Sequence, residues 1–269
     1  MADRGSVAIV STTFAFSLTP DDITFFSANG WLLTNPLSTV DAQEVQKWVS
    51  EIHDWPMNVD ESTWLHYQEM TVHGARLCRT ENFTPFHEGM YQLLRQGALL
   101  EIASQLMGET AVLYKEKINY KLAGGAGYSP HQDAPAYPFV NNHISCMVAV
   151  DDATVENGCL EVVSQCHSEV LLMDNKGCIA PELVSTFTWE PVELKAGQVL
   201  WFHSRTPHRS GPNNSSRDRR ALYPTYNALS EGDLRNAYYE QKLREFSEQA
   251  ATGDTVRVSL IGDFEGKPV

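Results

Sequence analysis

The most constraining feature of this chain is a series of short extended segments between residues 110 and 228. Each segment is rich in Val, Ile, Leu and Tyr, and clusters of Gly, Pro, Asn and Asp separate it from the next. Short apolar segments with turn residues between them predict the strands of a β-sandwich or barrel. The predicted strands are Ala111–Leu122, His143–Asp152, Cys159–Ser164, Val192–His203 and Arg219–Ala228.

Helical patterns precede this β region. Thr19 is a predicted N-cap, Pro20 suits the first helical turn, and Gly30 suits the end of the helix. Residues 39–55 and 85–108 also have apolar residues at helical spacing.

The predicted organisation is a single domain, residues 1–269, because no stretch rich in Pro, Gly or Ser divides the chain. It consists of a helical N-terminal flank at about 17–108, a β core at about 110–228 and a C-terminal helix at about 231–250. The predicted fold class is therefore mainly β with flanking helices.

Charge and cysteine content restrict the partners and the compartment. A net charge of −14 repels phosphate backbones and anionic lipid, so we expect a small-molecule substrate and neither nucleic acid nor a membrane. The charge leaves open whether the protein forms a homo-oligomer.

The 5 cysteines are odd in number and have no CxxC spacing, which favours reduced thiols in a cytoplasmic protein. Ser and Thr interrupt the weakly signal-like residues 5–20, so no cleaved leader is expected.

The segment Tyr128–Tyr137, YSPHQDAPAY, has a histidine and an aspartate two positions apart. Residues at this spacing in extended backbone point to the same side, so His131 and Asp133 can converge on one point. Two histidines and one carboxylate on one face are diagnostic of non-haem Fe(II) oxygenases. An HxD triplet alone is weak evidence, because a polar turn can contain the same residues.

A second histidine and an arginine follow in a later segment. His208 precedes a Gly-Pro-Asn-Asn turn, and Arg219 follows on a predicted strand. His203 lies in the same segment and is an alternative ligand. A buried guanidinium needs an anionic partner, and a dicarboxylate would provide one through a bidentate contact. A metal triad with a distant arginine therefore predicts Fe(II) with 2-oxoglutarate as co-substrate.

These segments resemble the phytanoyl-CoA dioxygenase (PhyH) family of Fe(II)/2-oxoglutarate oxygenases. The resemblance covers about Ser17 to Asn227 and rests on LTPDDITFFSANGWLL, HQD, NGCLEVVSQCH, LKAGQVLWFH and HRSGPNNSSRDRR. It implies a double-stranded β-helix core, which is a cupin-like jelly roll. For the site, it implies iron ligands and catalytic residues His131, Asp133 and His208, and 2-oxoglutarate-binding residues Arg219, Gln132 and Ser210.

The resemblance also implies a reaction. Related halogenases lack the carboxylate ligand, whereas this chain has Asp133, so hydroxylation of a C–H bond is expected. The expected cofactors are Fe(II), 2-oxoglutarate and O2, with 2-oxoglutarate decarboxylated to succinate. The protein then has to position the substrate and exclude water. A non-enzymatic jelly roll that binds a small ligand is the alternative from another class.

The strand before the HxD triplet carries the first part of the substrate prediction. Lys117, Asn119 and Lys121 share one face of this strand, because side chains alternate along it. We expect this face to line the barrel, with Lys117 binding the anionic co-substrate and Asn119 and Lys121 facing the substrate. Lysines that point to solvent are the alternative.

Tyr137, Asn141 and Tyr223 complete the predicted substrate pocket. Tyrosine rings can hold an ammonium group through cation–π attraction, and cationic corners suit an anion, so the pocket predicts a small zwitterion. Tyrosines that only pack in the barrel are the alternative.

Within the family, KINYKLAGGAGYSPHQDAPAY and EGDLRNAYYEQK resemble bacterial aminoalkylphosphonate dioxygenases. This resemblance implies hydroxylation of 2-aminoethylphosphonate, or its N-trimethyl form, at the carbon next to phosphorus, in phosphonate degradation. An amino acid, a betaine or a secondary metabolite is the alternative substrate.

Overall fold

The computed structural model describes residues 16–57, 64–71, 74–137 and 140–252, with side chains up to residue 244. Its strands form one sheet of seven and one of four, and every paired strand is antiparallel, which confirms the predicted fold class. The strands are β1 Trp31–Thr34, β2 Leu65–Thr71, β3 Gly74–Glu81, β4 Ala111–Lys121, β5 Tyr128–His131, β6 His143–Ala149, β7 Leu160–Val162, β8 Glu190–Val192, β9 Val199–His203, β10 His208–Ser210 and β11 Arg219–Ala228.

The order of the strands brings distant segments together. The large sheet has the order β1-β9-β6-β11-β4-β3-β2, and the small sheet has the order β5-β10-β7-β8. β4 and β11 are long neighbours, with Lys121 opposite Arg219 and Lys117 opposite Tyr223. These registers determine which polar side chains meet between the sheets.

The helices are α1 Pro20–Asn29, α2 Thr39–His53, α3 Glu88–Arg95, α4 Ala98–Met107, α5 Pro181–Val184 and α6 Arg235–Thr252. α1 begins as predicted, because the Thr19 hydroxyl accepts from the Asp22 backbone N–H while the Asp22 carboxylate accepts from the Thr19 N–H. Gly30 ends the helix with φ of 80°, a left-handed conformation that favours glycine.

Two apolar cores hold the layers together. The larger core joins α1–α4 to one face of the large sheet and buries Ile118 and Trp201 completely. The smaller core lies between the two sheets, where Phe202 packs near Val162. Trp201 and Phe202 are consecutive, so alternate residues of one strand face either the helices or the opposing sheet.

The N-terminal flank contains strands as well as helices: the apolar WLL at residues 31–33 has the pattern of a strand and forms β1, whereas the hairpin β2–β3 was not predicted. β1, β2 and β3 lie within residues 17–108, and β2 pairs with β3 as a hairpin at the edge of the large sheet. Of the seven residues of β2, only Leu65 and His66 are fully buried. The apolar residues of the β2 sequence LHYQEMT do not recur at every second position, so the hairpin has no clear apolar period, and the pairing of β3 with β4 makes it part of the sheet.

Glycines divide two other predicted elements. The helical segment at 85–108 forms α3 and α4, which are separated at Gly97. The predicted strand at 192–203 forms the end of β8 and the whole of β9. Gly197 lies between them with φ of 90°, and its backbone turns the chain.

Buried ion pairs fasten α6 to the sheet. Arg235 Nη2 donates to Glu116 Oε1 of β4 at 2.8 Å, and Nη1 donates to the second carboxylate oxygen. Lys242 Nζ donates to Glu81 of β3. Breaking a buried pair leaves an uncompensated charge, so these contacts hold α6 in one position against β3 and β4.

The signal-like segment lies mostly outside the described residues, and so does the chain beyond residue 252. α6 begins at residue 235, a few residues after its predicted start. None of the described helices combines the length and the apolar character that a membrane crossing requires.

Candidate active site

The side chains of His131, Asp133 and His208 converge between the two sheets. His131 ends β5, His208 begins β10, and the two residues are direct partners in that strand pair. Asp133 Oδ1 lies 4.0 Å from His131 Nε2 and 3.9 Å from His208 Nε2. One possible ligand atom from each residue lies within 4.8 Å of the others. This is the donor set of a site with two histidines and one carboxylate on one face of a metal.

Both imidazoles are held in the tautomer that binds a metal through Nε2. Nδ1 of His131 lies 2.7 Å from the Ser129 carbonyl oxygen, and Nδ1 of His208 lies 3.0 Å from the Thr206 carbonyl oxygen. A carbonyl oxygen can only accept, so each Nδ1 carries the proton and each Nε2 keeps its lone pair. Burial and the neighbouring His208 lower the pKa of His131 to about 3, so its ring is neutral at pH 7.

Asp133 is ionised and oriented by its neighbours. Burial acts to raise the pKa of this carboxyl group, but the neighbouring His208 and Lys115 bring the pKa below its usual range. The Ser145 hydroxyl donates to Asp133 Oδ2 at 2.8 Å, and the Ser145 and Thr225 hydroxyl oxygens lie 2.9 Å apart. Since Oδ2 is engaged, Oδ1 is the oxygen directed at the two histidines.

A cavity that is partly open to solvent contains this cluster. Strands of both sheets form its walls. Besides the three converging residues, the cavity is lined chiefly by Lys115, Lys117, Asn119, Tyr128, Tyr223 and Thr225. The structure thus brings the predicted residues Lys117, Asn119 and Tyr223 to one cavity.

Arg219 and Lys121 meet farther along the same face of β4 and β11. Lys121 Nζ lies 2.9 Å from Ser210 Oγ and donates to the Gly158 carbonyl at 3.1 Å. Arg219 Nη2 donates to the same carbonyl at 2.9 Å. Its Nε and Nη1 are buried and have no hydrogen-bond partner among the described residues. Buried donors without partners are costly, so they indicate a site for an anionic ligand.

Gln132 lies outside this site, so the expected contact with 2-oxoglutarate is not supported. Its Nε2 donates to the Glu169 carbonyl at 3.0 Å, and its Oε1 accepts from the Leu171 N–H at 2.8 Å. The period of two that directs His131 and Asp133 inward directs the residue between them to the opposite side.

Asn141 and Tyr137 also differ from their expected positions. Asn141 is exposed, and its backbone N–H donates to Glu231 at 2.8 Å, because the chain bends here before β6 begins. Tyr137 is buried behind the cavity wall, with Lys115 Nζ 4.3 Å from its ring centroid and the Tyr114 ring at 5.6 Å. Tyr137 therefore packs in the barrel and reaches the cavity only through Lys115.

His203, the alternative ligand in the sequence, is turned away from the cluster. Its Nδ1 accepts from the Arg205 backbone N–H at 3.0 Å, and its ring lies 5.5 Å from the ring of His167. The structure therefore favours His208 over His203 as the second histidine.

Three polar residues at or beside the cavity were not predicted. Lys115 shares the face of Lys117, and Ser145 is a polar residue at an alternate position of β6, so the period of two could have indicated both. Arg79 donates through Nε to Asn119 at 3.1 Å, but it comes from the hairpin that had no strand pattern.

Comparisons with known proteins agree on one family. The profile described as "Phytanoyl-CoA dioxygenase (PhyH)" matches residues 26–221. A protein named methylphosphonate hydroxylase, from Gimesia maris, is 48% identical over 255 residues, which are 94% of this chain and 97% of that protein. A protein named 2-aminoethylphosphonate dioxygenase, from an uncultured bacterium, is 38% identical over 238 residues, or 86% of this chain and 90% of that protein.

Among solved structures, EctD from S. alaskensis with 2-oxoglutarate and 5-hydroxyectoine superposes with a TM-score of 0.68. It is 18% identical, and the match covers 82% of each chain. At this identity the likeness shows a shared fold.

Proposed function

The chain belongs to the phytanoyl-CoA dioxygenase family, and from this premise we propose that it hydroxylates a small phosphonate at the carbon bonded to phosphorus. It is an Fe(II)- and 2-oxoglutarate-dependent dioxygenase. The observation that carries the phosphonate proposal is that two relatives named for phosphonates match 94% and 86% of the chain. The lysines of the cavity support it, because a buried dianion needs cationic partners.

His131, Asp133 and His208 are the proposed iron ligands. Two neutral imidazoles and an ionised carboxylate suit Fe(II) and leave coordination positions for other ligands. The hydrogen bonds to each Nδ1 and to Asp133 Oδ2 support this assignment, because such outer contacts orient metal ligands.

Arg219, Ser210 and Lys121 are the proposed partners of the distal carboxylate of 2-oxoglutarate. The two unpaired donors of Arg219 suit a bidentate contact with a carboxylate. From its place on the β4 face, Lys121 was expected to approach the substrate. Its contact with Ser210 and its position opposite Arg219 support the co-substrate end instead.

Bound together, Fe(II) and 2-oxoglutarate supply the oxidation, in which O2 is consumed, 2-oxoglutarate becomes succinate and CO2, and one oxygen atom enters a substrate C–H bond. The residues of the chain bind and orient the reactants. The ligand cluster lies between the sheets, where the burial of its side chains limits the access of water. The lysines anchor the phosphonate, so the adjacent carbon is the part of the substrate presented to the cluster.

The affinity for 2-oxoglutarate is expected to fall as the pH rises above about 7. Burial and the neighbouring Arg219 lower the pKa of Lys121 to about 7, and only the protonated amine attracts a carboxylate. A bound dianion raises the pKa of Lys121. Between about pH 7 and this raised pKa, binding of 2-oxoglutarate takes up a proton, so its affinity falls as the pH rises. Anaerobic calorimetric titrations from roughly pH 6 to 9 measure the trend. Lys121→Gln should bind more weakly with a flatter profile, and an equally steep profile would contradict this role.

The proposed function is tested by turnover. The purified protein with Fe(II) and 2-oxoglutarate should release succinate when a small phosphonate is added, in equal amount to a hydroxylated phosphonate seen by phosphorus NMR. Carboxylates of the same length are the matched controls and should give only background succinate. Succinate release that depends on a betaine or an amino acid, and on no phosphonate, would overturn the proposal in favour of the alternative substrates.

The substrates in the names of the two phosphonate relatives differ in chain length and in charge. 2-Aminoethylphosphonate carries an amine, and methylphosphonate does not. The zwitterion predicted from the sequence is one form of the proposal, with a role in phosphonate degradation, and an amine-free phosphonate is the other. The charges of the cavity bear on this choice.

A further inference from the structure

We infer that Lys115 and Lys117 together bind the phosphonate dianion of the substrate, and that the cavity selects phosphonates without an ammonium group. The inference rests on the proposed function and deepens it. Its first basis is position. Lys115 and Lys117 lie on the same face of β4, both line the cavity, and their partners on β11 are Thr225 and Tyr223.

The second basis is unbalanced charge. Among the described residues that line the cavity, Asp133 is the sole carboxylate, and it belongs to the ligand cluster. Burial lowers the pKa of Lys115 to about 8 and lowers that of Lys117 as well. Lys115 is buried and Lys117 is half-buried, and neither amine has a carboxylate within ion-pair distance among the described residues. Keeping both amines charged is therefore costly, and a phosphonate dianion between them would restore both charges.

Glu81 is the nearest alternative partner for a substrate ammonium. It faces Lys117 across the β3–β4 pair. Its carboxylate already accepts from Lys242 and lies 3.6 Å from Arg79. The neighbouring cations outweigh burial and keep the pKa of Glu81 below its usual value. A substrate ammonium would have to compete with two cations that the protein itself provides.

The tyrosine rings do not offer an empty cation site either. Lys115 Nζ lies 4.3 Å from the centroid of the Tyr137 ring, and Lys117 Nζ lies 5.3 Å from that of Tyr223. The Tyr128 hydroxyl lies 3.4 Å from Arg79 Nη2. Each tyrosine considered for an ammonium group thus lies beside a protein cation. An ammonium placed there would be repelled, and this distinguishes an alkylphosphonate from a zwitterion.

The test uses substrates matched in size. Propylphosphonate replaces the ammonium of 2-aminoethylphosphonate with a methyl group and changes little else. With Fe(II) and 2-oxoglutarate bound and oxygen excluded, calorimetry should show propylphosphonate binding at least about 10-fold tighter than 2-aminoethylphosphonate. Equal or tighter binding of 2-aminoethylphosphonate would overturn the selection. This comparison uses the unmodified protein, so it does not depend on the folding of a variant.

Variants test the lysine pair. Lys115→Gln and Lys117→Gln should each weaken phosphonate binding by roughly 10- to 100-fold, as loss of a hydrogen bond to a charged group predicts. The dissociation constant for 2-oxoglutarate should stay unchanged. Lys47→Gln is the matched control, since Lys47 is exposed on α2 and pairs only with Glu44 among the described residues.

The outcomes separate this inference from the proposed function. If Lys117→Gln weakens 2-oxoglutarate and not the phosphonate, Lys117 serves the co-substrate and the lysine pair is overturned. If phosphonates bind and are hydroxylated but both variants bind them normally, the pair is overturned while the proposed function stands. If the unmodified protein neither binds nor hydroxylates any phosphonate, the proposed function itself fails.

Discussion

Asp133→Ala is expected to abolish detectable turnover and to weaken Fe(II) binding by at least about 100-fold. Removing a residue that only orients a metal ligand already lowers metal affinity by up to about 100-fold, so loss of the ligand itself should cost at least as much. The reason is the geometry of the cluster. Asp133 is the sole carboxylate of the described cluster, and its Oδ1 lies 4.0 Å and 3.9 Å from the Nε2 atoms of His131 and His208. Without it, two neutral rings remain and the charge attraction for a divalent ion is lost. Fe(II) competition with a chelator measures the affinity, and succinate release measures turnover.

Asp54→Ala is the matched control for this variant. Asp54 ends α2, and its side chain is 82% exposed. Both variants should keep the far-ultraviolet circular dichroism of the unmodified protein. Retention of full iron affinity and turnover in Asp133→Ala would contradict the assignment of the metal site.

Arg219→Met is expected to raise the dissociation constant of 2-oxoglutarate by at least about 100-fold while Fe(II) binding is unchanged. Removing one partner of a buried charge pair costs about 3–5 kcal/mol, and the free donors of Arg219 make it the strongest candidate for such a partner. Arg219→Lys should recover only part of the loss, because lysine cannot form the bidentate contact. Calorimetry with the iron-loaded protein measures each constant.

Arg217→Met is the control, because Arg217 is exposed in the loop that leads into β11, two residues before Arg219. Succinate production at saturating 2-oxoglutarate should recover in Arg219→Met if only co-substrate binding is impaired. An unchanged dissociation constant in this variant would remove Arg219 from the co-substrate site.

The parts of the fold that were predictable have strong local signals. The ten residues of β11 match the predicted strand, and β4 matches its prediction to within one residue. Both strands are long, contain several residues that favour strands, and end at turn residues. The family was recognised from motifs that lie far apart in sequence, and the family profile confirms it.

The convergence of His131, Asp133 and His208 was predictable from the sequence, but the surroundings of this cluster were not. His131 and Asp133 have the spacing of a shared strand face, whereas the choice of His208 over His203 came from family position. The hairpin β2–β3 could not be foreseen, because it joins the sheet through the pairing of β3 with β4, which the local sequence does not show. Arg79 enters the site on that hairpin, so its presence beside Asn119 could not be foreseen either.

Side-chain direction limited the substrate prediction. The alternation along β4 correctly placed its lysines on one face. It did not predict which reactant each lysine would approach, because that depends on the neighbouring strand. Lys121 lies opposite Arg219, whereas Lys117 lies opposite Tyr223. The position of Asn141 differs from the expected one for another reason, because the alternation of side chains along a strand does not continue through a bend.

The continuity of β11 has a consequence for the choice of co-substrate. Arg219 begins this strand, and Thr225 lies on the same face with no register shift between them; the shift comes after Thr225. Thr225 in turn contacts Ser145, which holds Asp133. Under the proposed assignment, one uninterrupted strand therefore sets the span between the guanidinium and the metal ligands. The backbone, which deforms much less than a loop, then acts as a spacer that admits a diacid of one chain length and excludes shorter and longer homologues.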